Sequence, residues 1–164
     1  MNPRYFLLLV LVASVAAGAT WLINGPKPFP PAVDGIACQS MEGQALHVHA
    51  QLQLFKNGQP VVVPAGIGIP GGCFYWLHTH TADGVIHVES PVVRDFTLGQ
   101  FFEIWGQTPG ERGVATKTFV KDEGDPDFHE VPGDWKTLVR KSHRIFAVGT
   151  GTFVPQPFTF PEGL

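Results

Sequence analysis

The segment LHTHTADGVIHVES, residues 77–90, places three imidazoles and a carboxylate around a dipeptide that favours chain reversal. Imidazole is a ligand for transition metals such as zinc and copper, whereas calcium and magnesium favour oxygen donors. His78 and His80 are two residues apart, so on a strand they share a face. Asp83-Gly84 is a favoured two-residue hairpin loop, because both residues tolerate positive φ. A hairpin closed there sets His80 opposite His87 and His78 opposite Glu89, with all four side chains on one face. Facing side chains have Cβ atoms roughly 4.5–5.5 Å apart, close enough for imidazole nitrogens to converge on one ion. The other face carries Leu77, Thr79, Ile86 and Val88, a core surface that opposes a one-residue slip. In this register His80 is the critical ligand, as second member of its doublet and direct partner of His87.

A second doublet, His47 and His49, lies in QALHVHAQLQLF, residues 44–55. Leu46, Val48, Ala50, Leu52 and Leu54 alternate with His47, His49, Gln51 and Gln53, the pattern of a half-buried strand. These two imidazoles complete the hairpin's site, form a second site, or hydrogen-bond to ligands from outside. Glu89 is either a fourth ligand or a proton-transfer group beside a metal-bound water. The candidate metal ligands are therefore His78, His80, His87, His47 and His49, with Glu89 at their border and copper or zinc as the ion. His129 and His143, beside charged neighbours, read as surface residues. No residue stands out as catalytic.

These ligands need a scaffold. Fifteen prolines, nineteen glycines and thirteen phenylalanines in 164 residues point to a turn-rich, mainly β domain with an aromatic core, an antiparallel sandwich or barrel-like fold. Asn57-Gly58 predicts a second hairpin, returning into an edge strand at PVVVP, residues 60–64. The glycine-rich stretch 65–72 lacks the Lys-Ser/Thr ending of a phosphate loop. VVRDF, residues 92–96, is a short strand candidate. Residues 97–106 switch to helical spacing, with Leu98, Phe101, Phe102 and Trp105 on one face, a Thr97/Gln100 capping box and a terminal Gly106. Residues 107–117 and 122–134 read as loops, and 137–151 as one or two strands. The Phe- and Pro-rich tail from Phe153 is expected to be extended and docked by its aromatics.

The N-terminal portion differs from the rest. Phe6–Ile23 carries no charge and follows Arg4, so residues 1–23 form a signal peptide or a membrane anchor. Ala17-Gly18-Ala19 suits cleavage, while Trp21, Leu22 and Ile23 suit an uncleaved helix at the membrane interface. Both place the domain outside the cytoplasmic membrane, in the periplasm or at the cell surface. Residues 24–35 form a proline-rich spacer, and residues 36–164 the histidine-rich domain. Export makes a Cys38–Cys73 disulfide the natural reading of the two cysteines. The rival, Cys73 as a metal ligand, suffers from its odd offset from His78, which puts it on the opposite strand face. A net charge of −3 without a basic run excludes a nucleic-acid partner and a polybasic lipid patch.

HVHAQLQLFKNGQPVVVPAGIGI, CFYWLHTHTADGVIHVESP and FTLGQFFEIWG together resemble a family of small exported or membrane-anchored bacterial and archaeal proteins of unassigned activity. That family shares an H-x-H strand, an HTH-x(3)-G-x-IH-x-ESP segment and an FTLG-x-FF-x-x-W segment, matched here over residues 44–106. The resemblance implies a common histidine pattern and supplies no activity. Three functions compete: a cell-envelope metal-binding protein, a three-histidine metalloenzyme, and an accessory subunit docked to an integral-membrane complex.

Overall fold

The long strand β2 (Leu46–Lys56) organises the domain, because both of its edges are paired. A computed structural model describes residues 28–108, 116–131 and 142–164, together with Arg4, Val10, Ser14, Val15 and Gly25. Before β2 comes β1 (Cys38–Gln39); after it follow β3 (Gln59–Val61), β4 (Phe74–Tyr75), β5 (Leu77–His78) and β6 (Val85–Ser90). Helix α1 (Leu98–Trp105) precedes β7 (Lys117–Lys121), β8 (His129–Val131) and β9 (Arg144–Gly149). The main sheet runs β5-β6-β2-β9-β7-β8, with β3 also on β2, while β1 and β4 form a separate two-stranded ladder.

The fold is mainly β, but it is neither a barrel nor an antiparallel sandwich among the described residues. The main sheet is open and mixed, because β9 lies parallel to β2 from Ala50↔Arg144 to Phe55↔Gly149. A parallel neighbour needs a long crossover, and here the chain leaves β2 at Lys56 and returns only at Arg144. The alternating residues of β2 explain the layers. Ala50 and Leu52 join Leu77, Ile86, Val88, Val120, Phe146 and Val148 in one buried core, closed by Phe96, Leu98, Phe101 and Phe102. Helix α1 supplies three of those covers. Thr97 accepts from the Gln100 backbone amide while the Gln100 side chain accepts from the Thr97 amide, and Gly106 ends the helix at φ 70°.

The opposite sheet face is covered at one end by the tail. Phe153 stacks on Phe55 with ring centroids 4.4 Å apart and meets Phe119 edge-on. Gln53 and the Gln156 backbone exchange two hydrogen bonds, of 2.6 and 2.8 Å. The docked extended tail expected from sequence is therefore present, and the histidines occupy the β5–β6 side of the sheet.

Several local expectations hold and others fail. Asn57 and Gly58, at φ 51° and 80°, close the second hairpin, whose return strand is only the three residues of β3. Val92–Phe96 is irregular rather than a strand; Arg94 lies over the rings of Phe96 and Trp76 there. Strand β8 lies within a stretch expected to be loop, because β7 offers it an edge from Thr118 to Val120. Cys38 and Cys73 are disulfide-bonded, with Cα atoms 5.5 Å apart, so Cys73 is not a metal ligand. The expected N-terminal signal or anchor lies outside the described residues, apart from Arg4, Val10, Ser14 and Val15, as do residues 109–115 and 132–141. Among the described residues no helix is long and apolar enough to cross a membrane.

Candidate metal centre

Three adjacent strands bring the imidazoles together. Strand β2 sets His47 opposite Glu89 and His49 opposite His87, and on the other side of β6 His78 of β5 also faces His87. The face parity read from sequence is thus correct, but the hairpin register is not. His78, not His80, is the direct partner of His87, an offset of two residues from the expected pairing. An even offset keeps every side chain on its face, which is why the cluster survives the error.

The cause is the glycine-rich loop. Thr79 turns away from β6 and bonds to that loop instead: its amide donates to the Ile67 carbonyl (3.0 Å) and its carbonyl accepts from the Gly66 amide (2.8 Å). Its hydroxyl donates to the Pro64 carbonyl and accepts from the Ile67 amide. Residues 79–84 consequently form a wider connection. Asp83 accepts from the Val85 amide, and Gly84 passes so close to β2 that a Cβ would lie 2.3 Å from the Leu52 carbonyl oxygen.

The donor atoms are spaced as ligands would be. Nε2 of His47 and Nε2 of His49 lie 3.1 Å apart, and so do those of His78 and His80. An ion bonded to both nitrogens of such a pair at about 2.0–2.1 Å would subtend an angle of about 100°. The His87 ring centroid is 4.6 Å from those of His49 and His80 and 5.5 Å from that of His78. Glu89 Oε1 stands 3.2 Å from both His47 Nε2 and His87 Nδ1. Two groups of four donors result, each within 4.8 Å: His47, His49, His87 and Glu89, and His78, His80, His87 and Glu89. All five candidate histidines and Glu89 therefore belong to one cluster.

Glu42 is the residue that sequence reading missed. Its Oε1 lies 3.6 Å from His78 Nε2 and 3.4 Å from His80 Nε2. It sits in an irregular loop with no periodicity to reveal it; the available signal was its position four residues after a bridged Cys38. Gly43 lets that loop lie against the end of β6, where a Cβ would meet the Ser90 carbonyl carbon at 2.2 Å.

Burial tunes the ring nitrogens. Desolvation, reinforced by the neighbouring imidazoles, lowers His49 to a pKa of about 4 and His87 to about 3. His78, fully buried, is lowered as well, again chiefly by desolvation. These rings are neutral at pH 7 and keep a lone pair for a cation. In His78 the Tyr75 carbonyl, 2.9 Å from Nδ1, can only accept, so Nδ1 carries the proton and Nε2 faces its neighbours unprotonated. Glu89 is pushed up to about 7 by burial and then by the adjacent Glu42 carboxylate. His129 is exposed and away from the cluster; His143 borders it, its amide donating to the His49 carbonyl (2.7 Å) and its Nε2 3.0 Å from the Leu164 carbonyl, but it belongs to neither donor group. No protein-family model, curated protein or solved structure matches the chain.

Proposed function

We propose that this is a transition-metal-binding protein of the cell envelope, holding copper or zinc on its sheet-face histidine cluster. One observation carries the reading: two imidazole pairs, each a buried ring (His49, His78) beside an exposed one (His47, His80) with Nε2 atoms 3.1 Å apart, with a carboxylate among them. Without a cation each pair is held by one ring's N–H donating to the other's nitrogen, and a borderline metal can take the place of those protons and engage all the rings at once. The disulfide and the apolar run after Arg4 support a position at the outer face of the cytoplasmic membrane.

The test is elemental analysis of the full chain purified from its native membrane, followed by competition titration of the metal-stripped protein with Zn(II) and Cu(II). Bound copper or zinc, and tight uptake of at least one ion, is the expected result. Protein that carries no transition metal and takes up neither ion would overturn the reading. An accessory subunit is the second reading, supported by exposed Val61, Val62 and Val154 around a cavity of about 590 Å³. Stoichiometric co-purification of an integral-membrane chain would favour it.

A further inference from the structure

We propose that the cluster is a binuclear centre: two transition-metal ions side by side, sharing His87 and Glu89, with Glu42 as a ligand of the second. This rests on the metal-binding reading and extends it.

The number of donors is the first reason. Five imidazoles and two carboxylates exceed the four ligands that one zinc normally takes. Their arrangement is the second. The doublets lie on opposite flanks of β6, His47/His49 on β2 and His78/His80 on and after β5, and each is already spaced for one ion. Each doublet forms a four-donor group with the same two residues, His87 and Glu89. Both shared residues can serve two ions: a carboxylate has two oxygens, and the His87 ring offers its second nitrogen once the incoming dication displaces the N–H proton to water.

Charge is the third reason. Each half of the cluster has an anionic donor to set against a dication: Glu42 Oε1 lies 3.4 and 3.6 Å from Nε2 of His80 and His78, and Glu89 Oε1 lies 3.2 Å from His47 Nε2 and His87 Nδ1. Glu42 is held there by its loop: the Gly43 amide donates to the Glu89 carbonyl (3.3 Å) and the Ala45 amide to the Ser90 carbonyl (3.0 Å). Access is the fourth. His47 and His80, one on each flank, are solvent-exposed, so each half of the cluster has its own approach from water.

Zn(II) counting decides the matter. The full chain in mild detergent, stripped with chelator and dialysed against Zn(II), should retain two ions. The double variants His47→Gln/His49→Gln and His78→Gln/His80→Gln should each retain one, and Glu42→Gln should weaken the second ion at least ten-fold. A wild-type count of one would overturn the binuclear assignment and leave metal binding standing; a count of none, with Cu(II) also refused, would overturn both. A folded double variant that still holds two ions, or loses both, would also overturn it. If a double variant fails to fold, the wild-type protein decides through Cu(II) electron paramagnetic resonance. The second equivalent should diminish the signal of the first through the shared ligands, whereas two additive, uncoupled signals would mean separate sites.

Discussion

Among the cluster residues His78 and His80 are chemically identical and two positions apart, yet the fold gives them different jobs. His78 is fully buried, faces His87 across the ladder and has its tautomer fixed by the Tyr75 carbonyl. His80 is exposed and lies beyond the end of β5. Replacing His78 by alanine should therefore reduce Zn(II) affinity more than replacing His80, reversing the order that a two-residue Asp83-Gly84 loop implies. The loss should exceed the roughly 10–100-fold typical of outer hydrogen-bonding partners. Competition titration of the two variants is the check, and equal affinities would refute the difference in role. The same-face doublets and His87 were legible from strand parity and the turn, but that His47 and His49 join the other three was not, because it depends on the β2–β6 ladder. Glu42 was not, because its place depends on a disulfide and a loop-to-strand contact that no local period encodes.

The elements tell the same story one level up. Strand β2, the Asn57-Gly58 turn and helix α1 follow from alternation, turn chemistry and capping, all of which are local. The parallel β2–β9 pairing, the wide connection at 79–84 and β8 arise from partners distant in sequence, where pattern is silent. Two substitutions test elements that support the site. Thr97→Ala removes the hydroxyl that caps α1 and should cost about 1 kcal/mol in denaturant melts, without changing metal stoichiometry. Gly43→Ala should do the reverse in emphasis. Its Cβ would collide with the Ser90 and Pro91 backbone, lifting the loop and taking Glu42 with it. Zn(II) affinity should fall at least ten-fold, and an unchanged titration would show that the loop does not position the carboxylate. The Cys38–Cys73 bridge spans 35 residues and constrains the same loop, worth about 3–4 kcal/mol by chain-entropy reasoning.

At the scale of the whole molecule, a surface that gathers neutral imidazoles couples folding to protons and to metal. His49 and His87 titrate near 6.5 when unfolded but near 4 and 3 in the fold, and His78 is shifted in the same direction. Between those values the unfolded chain binds more protons, so stability must rise with pH. Their contribution is complete above about pH 6.5 and is lost progressively as the pH falls toward 4 and 3. Glu89 acts oppositely: raised from 4.5 to about 7, it stabilises the fold most below 4.5 and loses that contribution as the pH rises through 7. Three lowered histidines outweigh one raised carboxylate, so the net slope between pH 7 and 5 is acid destabilisation. Chelator-treated full chain, unfolded by urea with its disulfide intact, should show a midpoint that falls steadily over that range. Saturating Zn(II) at pH 7 should raise the midpoint, through an unfolding free energy larger by about 2.7 kcal/mol for each bound ion when free ion is 100 times its dissociation constant. The increment should shrink toward pH 5, where protons compete for the same lone pairs. His49→Gln, which removes one of the lowered groups, should flatten the slope of the metal-free protein. A wild-type midpoint that is level from pH 7 to 5 would mean that the buried imidazoles do not control stability, and that burial has not prepared them for a cation.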